Sequence, residues 1–339
     1  MAPKLSDIAK MTGLSISTVS KAMKNDNEIS PETIMVVKKA SQKLGYKSPL
    51  QKRTEHLKTI ATLKKNSTPV ICLLFPYAIK NYSYTRLDTL IIDSMENRAQ
   101  ELGVALHITR LTADGKLPEW IVAQKIDAFI MKSYTMPPKT NCPMLYEIPL
   151  ASIFGFAPFE IPGLRVTSDS SKCVDLVWDI AVGKCGCNEI IVPIFLTNLP
   201  AINLETEEKL ALLKYRCGKN NVRLTEIDIR NEGEDHVDLL KNAIHKHPGK
   251  SAVFFPRFDE VEIETCEGLT ASKGIKPGED SEIISAVYDY SSKFNGRVNW
   301  IDLRGREIAG TAMDQVVNSI RNGTPLLSRI QIQPVLARQ

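Results

Sequence analysis

The sequence predicts an α/β protein in two parts: a small three-helix domain at the N-terminus, then a body of doubly wound parallel sheets divided into two subdomains. Three observations carry that expectation. Residues Lys4 to Tyr46 hold the start and stop signals of three short helices, basic residues crowd the first 68 positions, and beyond them apolar runs of strand length alternate with helical periodicity. A chain of 339 residues is long enough for two or three domains, each with its own core.

In the N-terminal part, Ser6 is expected to cap a first helix through Asp7, Ile8, Ala9 and Lys10, and Gly13 supplies the permissive backbone of a turn. Ser15 then caps a second helix. Its Val19, Ala22 and Met23 share one face and leave Ile16, Ser17, Thr18, Lys21 and Lys24 outward. The third helix starts at Ser30, with Pro31 where a missing N–H costs nothing. It carries Ile34, Val37, Ala40 and Leu44 inward and ends at Gly45. A sharp turn between two short helices on a basic segment is the sequence form of a helix-turn-helix, whose partner is double-stranded DNA. The charge distribution agrees. Residues 1–68 hold 13 Lys and Arg against 5 Asp and Glu, and the remainder 30 against 34, so a net +4 conceals +8 on the first part and −4 on the rest. Counterion release rewards cations only where the duplex lies.

From Lys47 to about Thr68 the apolar periodicity lapses, and Ser48, Pro49, Lys52, Arg53, Lys58, Lys64 and Lys65 read as a basic linker or hinge. Val70 to Phe75 is then a strand-length apolar run stopped by Pro76. A helical pattern over about Thr85 to Leu102 ends at Gly103, and Val104 to Ile108 is the next strand. Further strands are expected near Ala128 to Met131, Glu189 to Phe195, Ser251 to Phe255 and Ile283 to Tyr288. Helices are expected near Ser170 to Val182, Thr206 to Lys219, Asp235 to His247 and Glu307 to Asn322. This alternation makes parallel sheets covered on both faces, which bind ligands in a crevice beyond their strand ends.

No Gly-rich phosphate loop or nucleophile elbow appears, so neither catalysis nor a cofactor is expected. The pairs Cys185/Cys187 and His245/His247 lack the two-plus-two spacing of a structural zinc site, and no metal is expected. Seven cysteines without a signal peptide suit reduced thiols in the cytoplasm, and no run of about twenty apolar residues is available for a membrane span. The same features weigh against an exported solute-binding receptor, which the body alone would suit.

Several blocks match a known family in register. Leu5-Ser6-Asp7-Ile8-Ala9, Thr12-Gly13-Leu14-Ser15, Ser17-Thr18-Val19-Ser20-Lys21 and Ile29-Ser30-Pro31-Glu32-Thr33, closing on Leu44-Gly45-Tyr46, closely resemble the DNA-binding head of the LacI/GalR family of bacterial repressors. A looser likeness continues through Phe75-Pro76, Ser168-Asp169-Ser170, Phe258-Asp259-Glu260, Val287-Tyr288-Asp289 and Ile332-Gln333-Pro334. The resemblance implies a lambda-repressor-like head over residues 1–47, a hinge over 48–68 and a periplasmic-binding-protein-like body over 69–339. With the family's three chain crossings, one subdomain takes about 69–165 and 297–328 and the other about 166–296 and 329–339. It also implies a homodimer on a pseudo-palindromic operator, repression of carbohydrate or related metabolic genes, and a small-molecule effector, a sugar or sugar derivative, in the cleft.

Matched motif to motif, Ile16, Ser17 and Lys21 occupy the family's base-reading positions, and Ser15, Thr18, Ser20 and Ser30 become phosphate anchors. Two regions depart. The family's hinge segment, Ala-Arg-x-Leu, whose Leu wedges into the minor groove, finds Lys52, Arg53 and Glu55 in its places; Leu57 is the substitute after a register shift, and a flexible tether is the alternative. In the cleft, the family's Arg falls near Thr206 and its Asn at Phe258, while Asp259 and Asp289 survive. Tyr82, Tyr84, Phe156, Asp169, Trp178, Asp259 and Asp289 are the cleft candidates. The departures also admit a degenerate pocket, with control by a partner protein or by none.

Overall fold

The computed structural model describes residues 3–63, 67–75, 86–112, 114, 116–132, 144–154, 163–195, 200–229, 235–256, 260–272, 275, 279, 281–289, 297–326 and 328–337. The chain forms two compact units, Met1–His56 and Leu57–Gln339.

The first unit is built on α1 (Leu5–Thr12), α2 (Ile16–Met23) and α3 (Pro31–Leu44). Local chemistry sets each end. The Ser15 hydroxyl accepts from the Thr18 N–H at 3.1 Å and that of Ser30 from the Thr33 N–H at 3.3 Å. Gly13 and Gly45 end α1 and α3 in the left-handed conformation, at φ 70° and 66°, where a side chain would be strained. The first cap differs from expectation: α1 begins at Leu5, and the Asp7 carboxylate reaches back to accept the Lys4 N–H at 2.8 Å. Ser6 is therefore inside the helix, and the third helical residue does the capping. Ile8, Val19, Ala22 and Val37 are wholly buried, with Leu14, Ile29, Leu44 and Tyr46 packed around them.

The segment expected as a hinge contains a helix, α4 (Pro49–Leu63), which runs across the boundary between the units. Its start is a reciprocal cap: the Gln51 N–H donates to the Ser48 hydroxyl at 3.2 Å and the Ser48 N–H to the Gln51 side chain at 2.8 Å. Leu57, the expected substitute wedge, is wholly buried and belongs to the apolar core of the second unit.

The second unit holds two six-stranded sheets. Its strands are β1 (Val70–Phe75), β2 (Ala105–Arg110), β3 (Ala128–Lys132), β4 (Leu150–Ile153), β5 (Leu164–Ser168), β6 (Glu189–Phe195), β7 (Arg223–Ile229), β8 (Ser251–Phe255), β9 (Ser281–Val287), β10 (Asn299–Asp302), β11 (Arg329–Ile332) and β12 (Val335–Leu336). The first sheet has the order β11-β5-β4-β3-β1-β2, all parallel; the second has β12-β10-β9-β8-β6-β7, with only β12 antiparallel. The helices are α5 (Arg86–Leu102), α6 (Glu119–Val122), α7 (Met144–Glu147), α8 (Ser170–Trp178, continued by a π-helical turn Asp179–Lys184), α9 (Pro200–Asn220), α10 (His236–Lys246), α11 (Glu260–Ala271) and α12 (Gly305–Asn322).

Strand alternation accounts for the two covered faces of the first sheet. Ile71, Leu73 and Phe75 of β1 join the cluster under α5 and α12, whereas Cys72 and Leu74 join one with Ile121 of α6 and Leu145 of α7. The chain passes between the sheets after Ser168, after Asp302 and after Ile332. The expected crossings, at about 165/166, 296/297 and 328/329, fall three to six residues ahead of these points. Strands β5, β10 and β11 each run to their ends in their own sheet before the chain leaves, because a parallel strand must complete its ladder to satisfy its backbone.

Candidate nucleic-acid interface and ligand cleft

On the head, α2 buries Val19 and Ala22 and leaves Ile16, Ser17 and Lys21 exposed, with Ile16 at 53%. An exposed isoleucine on a helix whose other face is sealed is available to a thymine methyl. Ser15 and Ser30 sit at the N-termini of α2 and α3, where free backbone N–H groups favour anions. Their hydroxyls are already engaged. Ser15 Oγ lies 2.8 Å from Ser17 Oγ and 2.8 Å from Thr18 Oγ1, and Ser30 Oγ 3.0 Å from Thr33 Oγ1. Thr18 and Ser20 are half-buried.

Lys21 is not alone on this surface. Its ammonium donates to the carboxylate of Glu28, in the loop after α2, and that bond and charge hold Lys21 above its ordinary pKa. Glu28 was not anticipated; it lies beyond the end of α2, where helical periodicity no longer links it to Lys21. Glu55, at the family's wedge position, accepts from Lys47 Nζ at 2.6 Å. Arg53 lies on α4.

In the body, the strand ends of the two sheets meet where the chain crosses. Tyr288, following β9, stands with its ring 4.8 Å from that of Phe154, following β4, in a T-shaped contact. Its carbonyl accepts the Gly305 N–H at 2.9 Å, and a Cβ at Gly305 would come within 2.6 Å of that oxygen. Glycine is required there by close approach. Phe154 and Arg304 both hold left-handed backbone, φ 54° and 59°, a strain that collects at functional junctions.

Around Tyr288 lies a polar network. Its hydroxyl is 2.6 Å from each oxygen of Glu205 on α9. Glu205 also accepts from Lys209 Nζ at 2.8 Å, and Lys209, 1% exposed, donates to the Pro256 carbonyl at 2.7 Å. Burial opposes the Lys209 charge, but Glu205 and its neighbours outweigh it and raise the pKa. Lys209 stands three residues after Thr206, the position at which the resemblance places the family's Arg. Asp289 lies 3.6 Å from Arg86 of α5 and 3.7 Å from Arg306 of α12.

The remaining cleft candidates divide. Asp169 caps α8 at the first crossing and accepts from Gln333 Nε2, at the third, at 2.8 Å. Trp178 is the last residue of α8. There it packs under the Arg216 guanidinium, 5.7 Å from its ring centre. Tyr82, Tyr84, Phe156 and Asp259 lie outside the described residues. Among the described residues no helix is long and apolar enough to cross a membrane.

Comparison with known proteins places this architecture. The model of the family described as bacterial regulatory proteins, lacI family, matches residues 4–48, the three helices of the head. Over those residues the chain resembles that family. The ribose operon repressor of Escherichia coli (strain K12) is 22% identical over 337 residues, covering 98% of this chain and 97% of that one. Among solved structures, the lac repressor dimer bound to operator and the anti-inducer ONPF aligns with a TM-score of 0.59 at 14% identity, over 100% of this chain and 98% of that one. The transcriptional regulator CelR in complex with cellobiose aligns at 0.62 and 15% identity, over 99% and 98%. At these identities the structural likeness establishes the fold alone.

Proposed function

We propose that the protein is a homodimeric, sequence-specific transcriptional repressor, acting in the cytoplasm, whose hold on a pseudo-palindromic operator is set by a sugar or sugar derivative bound where the two sheets meet. The observation that carries the DNA half is the coincidence of the lacI-family match at residues 4–48 with a folded three-helix head exposing Ile16, Ser17 and Lys21. In this scheme residues 1–47 are the DNA module, those three side chains read base edges, and Ser15, Thr18, Ser20 and Ser30 grip phosphates. One head covers too few base pairs for useful specificity, and a two-fold dimer on a two-fold site repairs that. Selection of the full-length protein against a random duplex pool is expected to return such a site. No preference for any duplex would reject the reading.

Support for a sugar comes from the ribose operon repressor and the cellobiose complex, together with carboxylates at the crossing. Glu205 and Asp289 are acceptors of the kind that bind vicinal hydroxyls in charge-assisted hydrogen bonds. A ligand there touches both sheets, so it discriminates between two arrangements of the Tyr288–Phe154 contact and shifts their populations. A second reading has its own observation: both Glu205 oxygens are already met by Tyr288 and Lys209. That favours a self-satisfied pocket with control by a partner protein or by none. A thermal-shift series with sugars, sugar phosphates and nucleosides separates them, since a ligand that binds the folded state raises Tm and an inert pocket leaves it unmoved.

A further inference from the structure

We infer that Glu28 is a specificity-determining residue of the DNA-reading surface, holding the Lys21 ammonium for a guanine and away from the phosphates. The inference rests on the proposed role of Lys21. Glu28 and Lys21 are bonded through side chains that are 71% and 48% exposed, on the outward side of α2 where Ile16 and Ser17 also lie.

The loop after α2 is built to bring this carboxylate back. The N–H groups of Lys24 and Asp26 both donate to the Lys21 carbonyl, at 3.0 and 3.1 Å, and that of Asn25 donates to the Ala22 carbonyl at 3.1 Å. Asn25 is left-handed, φ 56°, which turns the chain back on the helix end. The Asp26 carboxylate then accepts the Glu28 N–H at 3.0 Å, and its carbonyl accepts that of Ile29 at 3.0 Å, where Ile29 packs into the head core. Asp26 thus holds the Glu28 N–H through its carboxylate and that of Ile29 through its carbonyl, and the Glu28 side chain returns to the residue whose carbonyl starts the loop.

A lysine is a compact charge on a flexible stem with three donors, and beside a duplex its default partner is the nearest phosphate. Fixing one donor on Glu28 leaves two, the number of acceptors, O6 and N7, that guanine presents in the major groove. The pair carries no net charge, so it adds nothing to non-specific attraction. A carboxylate at this point also repels the backbone. Both effects lower affinity for arbitrary DNA while keeping the base contact.

The test uses full-length wild type, Glu28→Gln, Lys21→Ala and the double variant, in pool selection and in affinity for the selected site and for random duplex across a salt series. Glu28→Gln is expected to lose roughly tenfold preference at the single base position that Lys21→Ala also relaxes. It should bind random duplex more tightly, with a salt slope steeper by about one phosphate contact. The double variant should relax that position no further than Lys21→Ala, the non-additivity of a shared contact. Wild-type preference at that position in Glu28→Gln, where Lys21→Ala relaxes it, overturns the role of Glu28 and leaves that of Lys21 standing. No relaxed position in Lys21→Ala overturns the base-reading role itself, and the present inference with it.

Discussion

Asp88 and Lys132 show how a charge pair behaves when it is buried in the body. One stands at the start of α5 and the other at the end of β3; their side chains are 0% and 2% exposed and in hydrogen-bond contact. Burial drives the Lys132 pKa down to about 8, although Asp88 pulls it back up. Because the folded value lies below the ordinary 10.5, the unfolded chain binds more protons between the two, and this group lends stability as pH rises through that window. Lys132→Met alone strands a carboxylate in the core and should cost about 3–5 kcal/mol in urea denaturation. Asp88→Leu with Lys132→Met should be neutral or up to about 4 kcal/mol stabilising, and should lose the alkaline gain. A double variant as weak as the single would mean the pair is held for its attraction. At this scale the sequence was legible where partners are near neighbours. Ser15 and Ser30 were read as caps because capping joins residues three apart. Lys21 with Glu28, Lys132 with Asp88 and Tyr288 with Glu205 join residues that only the fold brings together.

At the scale of elements, legibility followed how far each segment depends on its surroundings. β1, β3, β6 and β8 contain the apolar runs 71–75, 128–131, 190–192 and 252–255, buried on both faces, so composition alone marked them. β5, Leu-Arg-Val-Thr-Ser, and the edge strand β7, Arg-Leu-Thr-Glu-Ile-Asp-Ile, mix polar with apolar residues and went unread. Four-residue helices such as α6 and α7 leave no periodicity to find. The helix α4 is a different case, because its start was written locally in Ser48-Pro49-x-Gln51 yet was outweighed by the weak apolar stripe that follows. Two substitutions separate its cap from its anchor. Ser48→Ala removes the cap and should cost about 1 kcal/mol of helix stability, seen as a small loss of helical circular dichroism with the body's melting unchanged. Leu57→Ala opens a void in the second unit's core and should cost about 2–5 kcal/mol of that unit's stability. A neutral Leu57→Ala would show that the side chain is held outside the core in solution.

In the second unit one apolar cluster draws on both sheets, while the other face of the first sheet packs in a cluster of its own. Leu73, Ile130 and Ile153 of the first sheet and Ile191, Val253 and Ile284 of the second belong to a single buried apolar cluster, and the chain ties the sheets together at three crossings. A shared core predicts shared cooperativity: neither sheet can open without exposing the other's packing. Native cysteines report on both. Cys72 lies in the first sheet and Cys187 just ahead of β6 in the second; both are buried, and burial pushes each thiol up to about 12. As thiols they are unreactive while folded, since only the thiolate attacks a disulfide reagent. Because their folded pKa values exceed the ordinary 9.0, the unfolded chain sheds protons first, and their contribution to stability falls as pH rises past that point. Near neutral pH, peptide-resolved labelling is expected to modify the half-exposed Cys185 first among the six described cysteines. Cys72 and Cys187 should then become reactive together, at the urea concentration where helical signal is lost, and that midpoint should fall as pH is taken above 9. If Cys187 labels at lower urea than Cys72, the second sheet opens alone, and the crossings act as hinges between independent halves.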